Sequence, residues 1–538
     1  MSIGERAGTT LLLGGHIYSS FAPDATAMAI TGDTVVWVGE DRTGRALHPD
    51  ADVVDLHGAF VAPGFVDTHV HVTALGLNLI GLDLTGARSR SECLQWVRAY
   101  AATSADDIVW GHGWDDESWD DGGPPTTAEL DEAAGGRPVY LSRIDVHSAV
   151  CSTALRRVVA GLDESAGYSP DGPLRFDAHH LGRAVARDLL TPAQRAAART
   201  AALDLAASRG VVAVHECGGP DISGLDDFRE LLAHEHAVEV RGYWGEAARD
   251  AGHAQELLDR TGAHALGGDL FLDGSIGSHT AHLSQPYTDR PDLVGESYLD
   301  AERVAAHVAA CTEVGVQAGF HVIGDAAMSV AVDGFSRVAD RLGGPAVARL
   351  GHRLEHAEMM SAGDAQALAR LGVIASVQPV FDALWGGPDG MYATRLGAER
   401  AAAMNPFVMA AGAGVSLAFG SDAPVTPVDP WTMLRAAVHH HTPGSAVSPR
   451  AAFAAATRGA WRAGGVRDGL AGTLQPGAPA SYAVWDTDEL VVAAPKDAVQ
   501  RWSTDPRSGV PALPRLDADA TLPVCLSSVH RGRTVYTR

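Results

Sequence analysis

Lysine is almost missing from this chain. Of its 41 basic residues only Lys496 is a lysine, which removes that residue type as a metal ligand everywhere else. Cysteine is scarce too: five residues, Cys93, Cys151, Cys217, Cys311 and Cys525, with no CxxC and no regular spacing, in a chain far larger than disulfide-stapled domains. A reduced, cytoplasmic protein is the expectation. No stretch reaches the roughly 18 uninterrupted apolar residues of a membrane helix, and the start, MSIGERAGTTLLLGG, carries no cleavage-site pattern. Basic residues are outnumbered by 66 acidic ones, for a formal charge of −25, so nucleic acid and anionic membrane are not expected partners. Neither GxxxxGK[ST] nor GxGxxG occurs, and we find no internal repeat or low-complexity tract.

What is present is an ordinary folded composition, 46% hydrophobic over 538 residues. That length suits three or four domains, or one large barrel with an accessory domain. Residues 9–62 alternate short apolar runs with turns, among them Gly32-Asp33, and read as a small antiparallel sheet. From Gly64 to about Asp429, short apolar strands alternate with Ala/Leu/Arg-rich segments such as TPAQRAAARTAALDLAASRG, where Pro192 marks a helix start and Gly210 a stop. This α/β alternation predicts a parallel sheet covered by helices, as an open sheet or a (β/α)8 barrel. Ala-rich helices near 449–464 follow, and then strands and turns again. The division expected is therefore 1–63 and 465–538, pairing into one β-sandwich, around a barrel at 64–464. Residues 505–521 read as surface loop.

The strongest chemical signal is APGFVDTHVHV. His69 and His71 stand two apart on a strand, so both imidazoles point to one face and can reach one metal. Three further apolar runs end in a His or Asp: His321 in FHVIGDAA, His356 in RLEHAE and Asp422 in AFGSDAPV. Singly each has a bland reading; Asp422, for instance, could cap a helix at Ala423-Pro424. Together they are what a barrel needs, because ligands at strand C-termini converge on one face. Imidazole and carboxylate suit a borderline divalent ion such as zinc.

The set PGFVDTHVH, GHGWDDESW, FLDGSIGSHTAHLSQPY, HVIGDAA, RLEHAE, FGSDAPVTPVDP and GTLQPGAPAS resembles the amidohydrolase superfamily, specifically its YtcJ-like branch, which includes N-substituted formamide deformylases. The resemblance covers nearly the whole chain. It implies a (β/α)8 TIM-type barrel with a β-sandwich from both chain ends, and metal ligands at His69, His71, His321, His356 and Asp422. Where the family usually has a lysine ahead of DGS, able when carbamylated to bridge two metals, this chain has Asp269. Asp269 could bridge two ions itself. Alternatively the site holds one ion, with His321 or His356 orienting the substrate; the short reach of aspartate favours that case. A second departure, ASYAVWD near the C-terminus, concerns the sandwich.

The mechanism implied is hydrolysis of a small-molecule C–N bond. Zinc lowers the pKa of a water it holds towards about 7, and Asp422 would take that water's proton and deliver it to the leaving nitrogen. His356 is a second catalytic candidate. Candidate substrate contacts are Trp114, His147, Asp273 and Tyr287; Asp115, Trp119, His215, His279 and His282 are weaker, and buried Trp or Tyr is more often packing. Arg143, Arg353 or Arg395 could offset the negative charge for an anionic substrate. His439 to His441 read as a helix end. A heterocycle deaminase or lactonase on the same barrel, and a non-catalytic binding protein, are the competing readings; a homodimer is compatible with all three.

Overall fold

The computed structural model describes residues 8–104, 106–116, 119, 122–144, 148–492 and 510–538. His147 and Lys496 lie outside them. Eight parallel strands form a closed ring: Phe65–Val70, Val211–Gly218, Glu239–Trp244, Ala265–Leu266, Gly319–Val322, Arg353–His356, Ile374–Val377 and Ser416–Phe419. Two four-stranded arcs are joined at one seam by pairing of Leu266 with Ala318 and of Phe271 with His321, and at the other by Val70 with Ala423. The Asp422 N–H donates to the His69 carbonyl at 2.7 Å across the second seam, so two of the expected ligands also help close the barrel. Strands one and two are buried along their whole length, as parallel strands between helices and a filled interior must be.

A second compact unit, Val72–Leu203, interrupts the chain after the first barrel strand, and the first unit resumes at Asp204. The sequence pattern had not separated it from the barrel. It carries its own five-stranded sheet, in the order Leu174–Arg175, Ser148–Cys151, Val139–Arg143, Val109–Trp114, Leu82–Asp83. Within it Gly76 is needed for a close helix crossing: an added Cβ would come within 1.8 Å of the Ala198 carbonyl oxygen. The helix Pro192–Ser208 starts where expected. Thr191 Oγ1 accepts from the Gln194 N–H, while Gln194 Oε1 accepts from the Thr191 N–H at 2.9 Å, a reciprocal cap. Gly210 follows it with φ at 71°.

The chain ends meet in one five-stranded sheet, in which Phe60–Pro63 pairs with Tyr482–Asp486 and the latter with Val524–His530. A four-stranded sheet of Thr34–Gly39, Ala27–Thr31, Thr9–Leu13 and Asp52–Asp55 shares a core with it, where Met28, Ile30 and Val38 join Val61, Val484 and Val529. Gly32 and Asp33 form the two-residue turn of its hairpin. The sheet is mixed rather than antiparallel, because the helix Asp41–Leu47 carries the chain back before Asp52–Asp55 pairs parallel to Thr9–Leu13. Leu513–Pro514, inside the expected loop, pairs with Leu490–Val491. No helix among the described residues is long and apolar enough to cross a membrane.

Two wholly buried histidines behind the barrel wall fasten helices to strands. His307 Nδ1 accepts from the Ala248 N–H, and its Nε2 contacts the Leu266 carbonyl at 3.2 Å; His352 Nδ1 accepts from the Ala318 N–H, with Thr312 Oγ1 at its Nε2. Burial pushes His307 down to about 4 and His352 to about 3, the latter helped by the charge of His307 and Arg467. Both are neutral when folded and titrate near 6.5 when unfolded, so their contribution is complete above about pH 6.5 and is lost as pH falls through about 4 and 3. Thermal stability is therefore expected to fall steadily below pH 6.5, by about 1.4 kcal/mol per pH unit for each histidine. The slope should flatten in His352→Gln; a slope identical to wild type would contradict this.

Candidate metal centre

The six residues expected to bind metal converge at the C-terminal end of the barrel. His69 belongs to strand one and His71 follows it; Asp269 follows strand four; His321 lies in strand five, His356 ends strand six, and Asp422 follows strand eight. Asp269 is the hub. Its Oδ1 lies 3.5 Å from His69 Nε2, 3.5 Å from His321 Nδ1 and 3.7 Å from His356 Nε2, while its Oδ2 lies 3.3 Å from His71 Nε2. Asp422 Oδ1 lies 3.5 Å from His69 Nε2 and 3.3 Å from His71 Nε2. Two overlapping ligand groups result, His69, His71 and Asp422, and His69, Asp269 and His356. His321 borders the second through Asp269.

The residues present fit a cation. His69 Nε2, His321 Nδ1, His356 Nε2 and Asp269 Oδ1 are buried with no hydrogen-bond partner among the described residues, and such atoms are costly unless something fills the space between them. The field has the right sign. Burial opposes charge on His71, yet Asp269 and Asp422 raise it to about 10; His69, also opposed by burial, is held well above its ordinary range by Cys217, Asp269 and Asp422. Burial would raise Asp422, but His69, His71 and His356 hold it below the usual carboxylate range. The backbone is strained here as well, with φ of 67° at His356, 48° at Ala357 and 56° at Asp422. Asp422 caps no helix, since the next helix starts at Pro430.

Three of the four imidazoles are aimed by their other ring nitrogen, while His71 Nδ1 has no hydrogen-bond partner among the described residues. His69 Nδ1 meets Glu355 Oε2 at 3.1 Å, His356 Nδ1 meets Gln378 Oε1 at 2.9 Å, and His321 Nε2 meets the Gly274 carbonyl at 3.2 Å. An acceptor at one nitrogen takes the ring proton and leaves the other lone pair facing the cluster. Glu355 is in turn gripped by Arg353, which donates from Nε and Nη2 at 2.8 Å each, donates to the Thr68 carbonyl, contacts His215 Nδ1 and lies over the Tyr243 ring. His69, Cys217 and Glu355 also lie within ligand reach of one another. Burial pushes the Cys217 thiol up to about 12, and Glu355 is committed to Arg353, so this group is a support rather than a second site.

Sequence reasoning missed Glu355, Gln378 and Cys217. The signal for one of them was there: Arg353 and Glu355, two apart on a buried strand, share a face and had to pair. The same pair corrects Arg353 as an anion-binding candidate, because it is wholly buried and its donors are spent. Arg143 pairs with Asp115 and Asp116, and Arg395 with Asp289. Of the candidate substrate contacts, Trp114 is 1% exposed in the core of the second unit, with its indole N–H on the Leu141 carbonyl. Tyr287 is 1% exposed with its hydroxyl on the Ala281 carbonyl. Neither ring has surface left for a substrate. Asp273 is buried and accepts from the N–H groups of His282, Ile323 and Gly324, which orders the loop. Trp119 packs beside Trp114; His279 pairs with Asp289; His215 lies beneath His69 in the Arg353 network; and His439 to His441 form the helix end expected.

Replacing Glu355 by Gln keeps shape but removes the charged acceptor for His69. Metal affinity, read by chelator competition on folded protein, is expected to fall about 10- to 100-fold; wild-type affinity would rule out the aiming role.

The Amidohydrolase family profile matches residues 52–536. Protein LONG AFTER FAR-RED 3 of Arabidopsis thaliana is 29% identical over 523 residues, covering 89% of this chain and 87% of its own. YtcJ of Bacillus subtilis (strain 168) is 27% identical over 464 residues, covering 79% and 82%. N-substituted formamide deformylase of Arthrobacter pascens is 23% identical over 502 residues, covering 87% and 91%. Among solved structures, an uncharacterized metal-dependent hydrolase from Pyrococcus furiosus superposes with a TM-score of 0.74 at 27% identity, over 89% of this chain and 99% of that one.

Proposed function

The chain belongs to the amidohydrolase family, whose members include hydrolases of carbon–nitrogen bonds, and from that premise we propose that it hydrolyses a small, non-peptide amide at a two-ion centre bridged by Asp269. The observation that carries the reading is the buried convergence of four imidazoles and two carboxylates with partnerless atoms facing one another. His69, His71 and Asp422 would hold one divalent ion and His321 and His356 the other, with Asp269 Oδ2 towards His71 and Oδ1 towards His321, His356 and the shared His69. Zinc suits this N/O donor set. Two ions would each take one Asp269 oxygen. An N-substituted formamide is the leading substrate, on similarity to the Arthrobacter enzyme. We read the two sheets at the chain ends, with their shared core, as the accessory sandwich, and the barrel as interrupted by Val72–Leu203.

A divalent ion bound there supplies Lewis acidity and makes water a stronger acid. The protein's part is positional and protonic. Asp422 is ionised at neutral pH because the surrounding imidazoles outweigh its burial, so it can accept a proton. It takes one proton from the attacking water as the C–O bond forms, and returns it to the amide nitrogen as the C–N bond breaks. The products are a carboxylic acid and an amine; for a formamide, formate and the N-substituent's amine. Glu355 and Gln378 keep His69 and His356 fixed throughout.

Asp422→Asn removes the proton acceptor at nearly constant shape. With N-benzylformamide and the metal-loaded enzyme, kcat measured by formate release is expected to fall about 10²- to 10⁴-fold, with a far smaller change in KM. Near-normal turnover would contradict the role. Ammonia release from heterocyclic amines, with no cleavage across an amide panel, would make the protein a deaminase instead.

A further inference from the structure

Next to the candidate metal centre, between the ends of barrel strands two, three and four, lies a cavity of about 310 Å³. Asp269 is common to the cavity and the metal cluster, so whatever fills the cavity abuts the reacting centre. Its space depends on backbone without side chains. A Cβ added at Gly245 would come within 2.6 Å of the Asp269 carbonyl oxygen, so the loop after strand three runs directly against the bridging residue. Gly219, opposite, has more room: an added Cβ would meet only ordinary contacts, the nearest 3.5 Å away.

The walls have a definite chemistry. Pro220, Ile222, Phe271 and Tyr298 are apolar or aromatic, and Tyr298 is 46% exposed, an unusual amount of open ring for a structural tyrosine. The remaining side-chain charge is of one sign. Among the described residues, Asp221 and Asp269 line the cavity, and no Arg, Lys or His does. Asp269 is committed to the histidines, whereas Asp221 is exposed and has no hydrogen-bond or ion-pair partner among the described residues. A carboxylate-bearing group seated on the Asp221 side of the cavity, away from the metal cluster, would meet like charge with no cationic side chain in the lining to neutralise it. An ammonium group would meet a free carboxylate.

We propose that this cavity is the substrate's side pocket, that it takes a ring-sized apolar substituent that is uncharged or carries an amine, and that Asp221 sets the charge preference. The proposal rests on the hydrolase reading for the pocket's purpose, since it names what the substrate carries beside its scissile bond. It also supplies what the barrel ligands do not, a reason for selectivity. Metal ligands handle any amide alike; discrimination belongs to the walls around them.

The test is calorimetric titration of the metal-loaded full chain with benzylamine, benzyl alcohol and benzoate, in wild type, Asp221→Arg and Gly219→Phe. Wild type is expected to bind benzylamine and benzyl alcohol at least tenfold more tightly than benzoate. Asp221→Arg should reverse the order of amine and benzoate. Any coordination of benzoate to the ions is common to both proteins and cancels in that comparison. Gly219→Phe, which fills the space, should weaken all three probes tenfold or more with metal content unchanged. An unaltered order in Asp221→Arg, undiminished binding in Gly219→Phe, or no binding of any probe by wild type would overturn the proposal. Binding is read without turnover, so the predicted order in a protein that cleaves no amide would sink the hydrolase reading and leave the pocket standing.

Discussion

Placing a carboxylate in the middle of a barrel is expensive unless positive charge surrounds it, and Asp269 is placed there, buried, with four imidazole nitrogens within 3.7 Å. Imidazoles alone do not settle the balance: Asp269 and Asp422 favour charge on His69 and His71 against burial, but the facing nitrogens of His69, His321 and His356 lack hydrogen-bond partners among the described residues. A divalent cation answers both demands, giving the lone pairs an acceptor and the two carboxylates a counter-charge. The arrangement persists because the barrel is closed. Asp422 and His69 are joined through their backbones at the seam, so the candidate ligands furthest apart in sequence are held by the hydrogen bonds that complete the ring.

The layer beneath serves the same constraint. Arg353 and Glu355 form a wholly buried pair that spends its acceptor capacity on His69 and its donor capacity on Thr68 and His215. Removing either partner would strand a charge in the barrel interior, which costs several kcal/mol. The pair thus couples the folding of strand six to the aim of a histidine on strand one. His69 links this layer to Asp269, and Asp269 also lines the cavity, so any change at Asp269 touches charge balance and pocket shape together.

Much of this was legible in the residues. The HxH of His69 and His71 obeys strand alternation, and the apolar runs before His321, His356 and Asp422 mark strand ends that a barrel brings together. That both chain ends carry short strands followed from turns and alternation. What was not legible has physical reasons. The unit Val72–Leu203 has the same strand and helix periods as a barrel repeat, so periodicity could not separate it. His356 sits at a φ of 67°, which breaks the alternation that would have set it apart from Glu355. Trp114 and Tyr287 offered rings and polar tips, and only the backbone carbonyls that accept from them show that both are packing. The reach of Asp269 was underrated for a related reason: Gly268 before it, with φ at 72°, lets the backbone itself approach the cluster, so a short side chain suffices.

The most direct test of the account is metal content per chain, by elemental analysis of protein purified without chelator, for wild type and Asp269→Ala. A carboxylate shared between two ions predicts about two ions per chain in wild type and one or fewer in the variant. One ion in both proteins would contradict the bridging role, and none in either would contradict the metal centre itself.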